Sequence, residues 1–389
     1  MLRIKSLFII IGFVYLLTGC VHNNSNIIKS EEQQVISLDD MINQPNKVSY
    51  NTLSKYDIYS SVAGNINLIQ VLNIEKNHIQ TTQPILIDFK KSDRITGAIA
   101  LASKDKIYCS VFEEGGKFGN GKRIIALKDG TFCNEIYFKN SAGPGEIIND
   151  VERNRAYVCM KSKGNPVNII DTSTDAVVGK MDIKGFMQSF DLNETNIYAA
   201  IYGAEKMDYK DVPDCYLLRI NRTTGKAEVL PSNNANKFPQ DLKISPNGKI
   251  YTVNCPLLYH TEETKEFKLS VYDLAGNFIK DIMVDPWPYH IAIDTNGIAY
   301  ISHRGAEELY DDRGSQITVF DTNQDKVISN ITGFHGPSDL IIKDHFLFVL
   351  NNGSSSITVV DTNSGEIWGS ISLGSNTPPD SLVVLAKNP

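Results

Sequence analysis

Asp241, His290 and Asp339 follow one another at intervals of 49 residues, and together they carry the chemistry of an acid–base or ion-binding site. Carboxylates and an imidazole held close can supply a general base, an orienting anion or oxygen ligands for a cation. Each sits third in one short phrase: usually a Pro or small residue, any residue, a mostly polar residue, then an apolar run. The phrase occurs seven times and also places Ala98, Glu146, Gln188 and Ser381 at its third position. Brought to one mouth, Glu146, Gln188, Asp241, His290 and Asp339 would form a polar, acid-rich ring. Clustered carboxylates are costly unless solvated or paired, so such a ring suits a cation or a small polar ligand. Seven positions make a wide circle for the ligand sphere of one ion, which argues against a metal. The competing reading leaves the same residues capping turns around a water-filled channel.

A second group would border the same mouth. Lys161, Tyr202, Asn254, His303, Arg304 and Asn351 all fall at the ends of apolar segments. His303-Arg304 breaks the Asn-type ending of this group and hints at ligand contact, against a reading of His303 as a satisfied structural residue. No GxSxG elbow, HExxH pair or P-loop occurs, and no haem-attachment pair is found. Glu307-Glu308-Leu309-Tyr310-Asp311-Asp312 is acidic but lacks the spacing of a calcium loop. No metal or other cofactor is expected.

The elements that must position these residues are strands. The third positions are separated by 48, 42, 53, 49, 49 and 42 residues, about 47 on average, the period of four-stranded propeller blades. An inner strand follows each phrase, then a tight turn such as Ser245-Pro246-Asn247-Gly248. A second strand carries Tyr108, Tyr157, Tyr198, Tyr251 or Tyr300. A third runs into an Asp-Thr turn at Asp171-Thr172, Asp321-Thr322 and Asp361-Thr362. A short fourth strand closes each blade. The last repeat supplies only its inner strand, 381–385, whereas 56–61, 66–74 and 78–87 supply three strands with no phrase before them. The two fragments complete one blade. The expected fold is therefore all-β, a seven-bladed β-propeller over 47–389 closed by N- and C-terminal strands sharing one blade.

Tyr251-Thr252-Val253-Asn254, and Phe348 to Asn352 followed by the run Ile357 to Thr362, resemble the YVTN-repeat β-propeller family, over roughly 92–385. The resemblance implies a seven-bladed, frequently exported protein. It leaves the activity open, because such rings host binding modules and a few enzymes.

The chain has 389 residues, with 38 basic and 45 acidic side chains and a net charge of −7. No Lys/Arg-rich run stands out, so neither nucleic-acid binding nor electrostatic attachment to an anionic bilayer is expected. Met1-Leu2-Arg3-Ile4-Lys5 is a positive start, and 7–17 is an apolar run too short to span a bilayer. It fits a signal peptide over 1–19. The run ends in Leu17-Thr18-Gly19-Cys20, which resembles a bacterial lipobox. The resemblance implies acylation of Cys20 and a stable lipid anchor, with the protein facing outside the cytoplasm in the bacterial cell envelope. Residues 20–46 are polar and read as the lipidated Cys and a flexible tether. Cys109, Cys133, Cys159, Cys215 and Cys255 are widely spaced, and Cys109 and Cys159 fit buried thiols.

Taken together, these features suggest a membrane-anchored propeller that binds an envelope protein or a small ligand at its channel mouth. The alternative is a propeller hydrolase or lactonase using the channel carboxylates and His290.

Overall fold

Six of the seven phrases start an inner strand, and the first lies two residues inside one. In the computed structural model these strands are Arg94–Leu101, Pro144–Asp150, Phe186–Leu192, Pro239–Ile244, Pro288–Ile293, Pro337–Lys343 and Pro379–Ala386. The first six each open an antiparallel four-stranded sheet in chain order, giving blades 1 (94–137), 2 (144–182), 3 (186–229), 4 (239–283), 5 (288–332) and 6 (337–372). Inner strands touch their neighbours all the way round, and Pro379–Ala386 touches both blade 6 and blade 1. The result is a seven-bladed β-propeller. The structure describes residues 33–387 except 45–50, 52, 63, 90–93, 115, 116, 118, 161–165, 184, 203–214, 232–238, 256–266, 306–313 and 375–377.

Blade 7 is built from both ends of the chain. Pro379–Ala386 pairs with Tyr56–Val62, which pairs with Asn65–Glu75. That third strand is long enough to take His78–Thr81 along one stretch and Ile85–Asp88 along another. The single strand expected over 78–87 is split around Pro84, which has no N–H for a ladder. Gln34–Ser37 then adds a parallel strand outside Ile85–Asp88. A short helix, Leu38–Asn43, follows it, with the Ser37 hydroxyl accepting the Asp40 N–H at 3.0 Å.

This alters the expected tether. Ile36, Leu38 and Met41 are buried with Ile87 and Phe89 of blade 7 and Ile125 and Leu127 of blade 1. Gln34–Asn43 therefore belongs to the folded body, held by three buried apolar side chains while Val35 and Ile42 stay exposed. Cys20 and the segment 1–19 lie outside the described residues. Among the described residues no helix is long and apolar enough to cross a membrane.

The core is divided among the blade-to-blade junctions. At the junction of blades 4 and 5, for example, Tyr251, Val253, Leu269 and Val271 pack against Ile291, Ile301 and Phe320. Sheets stacked on both faces bury both sides of their middle strands. Fourth strands such as Lys326–Thr332 are mostly exposed. Cys109, Cys159, Cys215 and Cys255 are buried free thiols, and Cys133 is an exposed one.

Candidate functional site

The Pro that opens most inner strands does more than mark them. Register shifts follow it between Pro239 and Asp241, between Pro288 and Ile291, and between Pro337 and Asp339. Pro gives no N–H to the ladder, and the bulge re-aims the side chain beyond it. Ala98, Glu146, Ser189, Asp241, His290, Asp339 and Ser381 thereby occupy one level of the seven inner strands. Gln188 is the extra residue of its own bulge, so Ser189 takes the level expected for Gln188.

Asp241 is the hub of this level and is only 4% exposed. One carboxylate oxygen accepts from the Ser189 hydroxyl at 2.6 Å and the Leu242 N–H at 2.8 Å. The other accepts from the Ile291 N–H at 2.9 Å and faces His290 Nδ1 at 3.2 Å. Lys243 Nζ stands 3.5 Å from the first oxygen. Burial alone would raise the pKa of this acid. Lys243, His290 and the Ile291 N–H outweigh burial and hold it well below the usual carboxylate range.

His290 and Lys243 are what this anion presents. Burial opposes the charged imidazole, but the hydrogen bond to Asp241 and the charges of Asp241 and Asp339 prevail and raise its pKa. Lys243 behaves likewise, with Asp241 and Asp191 outweighing burial. Each side chain keeps 33% of its surface open. With Nδ1 turned to Asp241, His290 Nε2 has no partner among the described residues. Lys243 and Asp191 lie one pleat beyond the level of Asp241, outside the set expected from the sequence.

The other carboxylates are staples. Asp339 accepts the N–H of Leu340 and of Leu382, both at 2.8 Å. Asp191 accepts those of Leu192 at 2.9 Å and Ile244 at 2.8 Å. Each ties its own strand to the inner strand of the next blade, as Asp241 does through Ile291. Burial is the largest influence on both acids and raises their pKa values. Glu146 is half-buried at the same level on blade 2, two blades from Asp241.

His303 is not at the mouth. It is 2% exposed, with Nδ1 facing the Pro286 carbonyl at 2.9 Å and Nε2 facing the Thr318 hydroxyl at 2.8 Å. A carbonyl can only accept, so Nδ1 carries the proton and Nε2 accepts from Thr318. At the matching positions of blades 4 and 6, Asn254 donates to Ser270 and Asn351 to Thr358, both at 2.8 Å. His303 thus replaces an Asn in a clasp between second and third strands, and burial keeps its pKa low. Arg304 does come to the site. Its guanidinium lies 4.9 Å above the Tyr289 ring, whose centroid is 4.7 Å from that of His290. Tyr202 ends its strand opposite Phe186, and Lys161 and residues 203–214, 256–266 and 306–313 lie outside the described residues. Among the described residues no group of His, Cys, Asp and Glu side chains could hold a metal ion.

Solved structures share this ring. A protein from Lactobacillus plantarum superposes with a TM-score of 0.59 at 15% identity, covering 85% of this chain and 99% of its own. A proposed 6-phosphogluconolactonase from Bacteroides uniformis gives a TM-score of 0.58 at 12% identity, with 85% and 99% covered. No family model and no curated protein matches the sequence. At such identities the likeness is one of fold.

Chemically, the cluster offers a sunken anion, an imidazole it orients and an ammonium beside them. Such a set can receive a ligand oxygen or relay a proton through Nε2.

Proposed function

We propose that this chain is a lipid-anchored, YVTN-like propeller of the bacterial envelope that binds a small polar ligand in its channel through Lys243 and His290. The observation that carries the reading is Asp241, a buried anion that orients both groups while a third of each side chain stays open. A carboxylate, phosphate or carbonyl oxygen would accept from Nζ and Nε2, with Arg304 at the margin. Charge-assisted contacts of this kind are about twice as strong as neutral ones. Acylated Cys20 would hold the ring at the membrane, so Cys20→Ala should move the protein from the membrane fraction to the aqueous one.

The test is a thermal-shift screen of the purified chain against sugar phosphates, lactones, dicarboxylates and peptidoglycan fragments. A ligand at 100 times its Kd contributes about 2.7 kcal/mol by mass action. A hit lost in Lys243→Ala and in His290→Ala supports the channel site. A hit undiminished in both sinks it, and silence across the panel transfers the reading to a protein partner.

The Asp241–His290 pair favours one further reading, a hydrolase. His290 Nε2 would take a proton from water, and Lys243 would face the developing oxyanion. The fold shared with a proposed lactonase supports that reading. Lactone hydrolysis that survives His290→Ala would remove it.

A further inference from the structure

At the far ends of the strands from Asp241 and His290, the repeat carries a second recurring device. It clasps blades 1 and 2, and blades 4 and 5, through the turn after the third strand. Between blades 4 and 5, Lys249 Nζ lies 2.8 Å from Asp325, the Tyr251 hydroxyl donates to Asp325 at 2.5 Å and to the Thr322 carbonyl at 3.0 Å, and Asn247 donates to that carbonyl at 2.9 Å. Between blades 1 and 2, Lys106 reaches Asp175 at 2.6 Å and the Thr172 carbonyl at 2.5 Å, and Tyr108 also donates to Asp175. Where a turn lacks this Asp between blades 2 and 3, at Gly225, Arg222 fills the gap by pairing with buried Asp150. Blade 7 is joined to blade 1 by Lys387 with Asp57 and Asp129.

The junctions of blades 3 and 4 and of blades 5 and 6 lack the clasp on both sides, but in the first the Leu230 side chain packs against Gly276. Ile298 stands where Lys249 and Lys106 stand, and Gly365 stands where Asp325 and Asp175 stand. Asn296, the counterpart of Asn247, makes no side-chain hydrogen bond among the described residues, and the Thr362 carbonyl receives none. Tyr300 is 3% exposed, yet its hydroxyl has no partner there either. Burial pushes that phenol up to about 12, with Asp294 and Asp361 adding to the shift, so it is a donor at any physiological pH. At this place the blades part around a cleft of about 1050 Å³, lined by Asn296, Ile298, Tyr300, Thr362 and Gly365 among others. A Cβ placed on Gly365 would touch nothing within 4 Å.

What the cleft lacks defines what would fill it. The missing Asp leaves a phenol without an acceptor, and the Thr362 carbonyl is left without a donor. A hydroxyl is both at once. The rest of the lining mixes neutral polar groups such as Ser329, Asn330 and Asn363 with isoleucine side chains such as Ile331 and Ile342, and it also holds the charged Asp294, Lys343, Asp344 and Glu366. Alternating hydroxyls and C–H faces match such a wall. We propose that the cleft between blades 5 and 6 is a carbohydrate site, taking an oligosaccharide whose hydroxyls replace the absent Lys and Asp.

The test is calorimetric titration of the full chain with maltotriose, chitotriose and mannotriose, alongside 1,5-diaminopentane as a cationic probe. Saturable binding of at least one trisaccharide is expected. Ile298→Lys with Gly365→Asp rebuilds the clasp of blades 4 and 5, and Asp175 and Asp325 already adopt the positive φ that Gly365 has. This double variant should melt higher than the wild type and lose the sugar. Tyr300→Phe keeps the packing and should weaken binding about fivefold to tenfold, which holds the test open if the double variant does not fold. No trisaccharide binding, binding that survives both variants, or binding of the diamine alone would each overturn the proposal.

Discussion

Asp241→Asn puts the channel hub to a quantitative test. The two carboxylate oxygens accept rigid backbone donors on opposite sides, Leu242 N–H on one and Ile291 N–H on the other. An amide has one oxygen, so in either orientation its NH2 group must face a backbone N–H that cannot move away. An unsatisfied buried donor costs about 1–3 kcal/mol. Lys243 and His290 also lose the anion between them, which brings the total to the ~3–5 kcal/mol typical of a broken buried pair. At ~2 °C per kcal/mol for a large domain, the melting temperature should fall by ~6–10 °C. The same substitution leaves burial as the main influence on His290, so its pKa should drop, as read from the imidazole signals in NMR titration. In the wild type, whose folded His290 pKa is raised, the charged imidazole stabilises fully below about pH 6.5 and its contribution fades as pH rises through the folded pKa. The gap between wild type and Asp241→Asn should therefore narrow above neutrality. A melting temperature within 2 °C of wild type and an unmoved His290 titration would refute the reasoning, leaving Asp241 as a solvated channel residue.

Three other outcomes follow from the same geometry. His303→Asn restores the clasp residue of blades 4 and 6, so it should lie within about 1 kcal/mol of wild type at pH 7.5. Because the folded His303 pKa is depressed, wild type loses stability as pH falls below about 6.5 and the variant does not, which denaturant melts at pH 5 will show. A body truncated to begin at residue 47 loses buried Ile36, Leu38 and Met41; at ~1.5–3 kcal/mol each this is an upper bound of roughly 5–9 kcal/mol, measurable by urea unfolding against a body beginning at residue 33. Arg222→Leu removes the closer cation from Asp150, whose side chain is fully buried, and leaves Arg153 at 3.8 Å; it should cost up to ~3–5 kcal/mol, much of it recovered when Asp150→Leu is added.

The ring was legible because three independent marks recur in phase: the Pro phrase, the second-strand Tyr and the Asp-Thr turn. Its site was only partly so. Gln188 was misplaced by one residue because a bulge inserts a position that spacing cannot reveal, and Ser189 inherits the contact to Asp241. His303 read as a ligand residue because its partner, Thr318, sits on another strand. The parallel pairs Asn254 with Ser270 and Asn351 with Thr358, compared across repeats, carry that signal. Lys243 and Asp191 escaped notice because their level is apolar in other blades, where Ile148, Ala292 and Ile341 stand. The early strand and helix rest on three buried residues among five apolar ones in ten, and Val35 and Ile42, which stay exposed, blur the period. The open junction of blades 5 and 6 was written in Ile298 and Gly365, but as departures from a pattern whose purpose only the clasped junctions disclose.

The shared seventh blade also sets an order of events. Ser60 of the second strand meets Leu382 of the inner strand, partners separated by nearly the whole chain. On a ribosome or a translocon, the pairing edge of Tyr56–Val62 is made early and meets its mate only after the other six sheets have emerged. Such a distant pairing is slow to form, and an unmated edge invites other strands in the interval. A lesion in 379–386 would therefore be felt first as lost yield during biogenesis, with the remaining sheets intact but the circle unsealed.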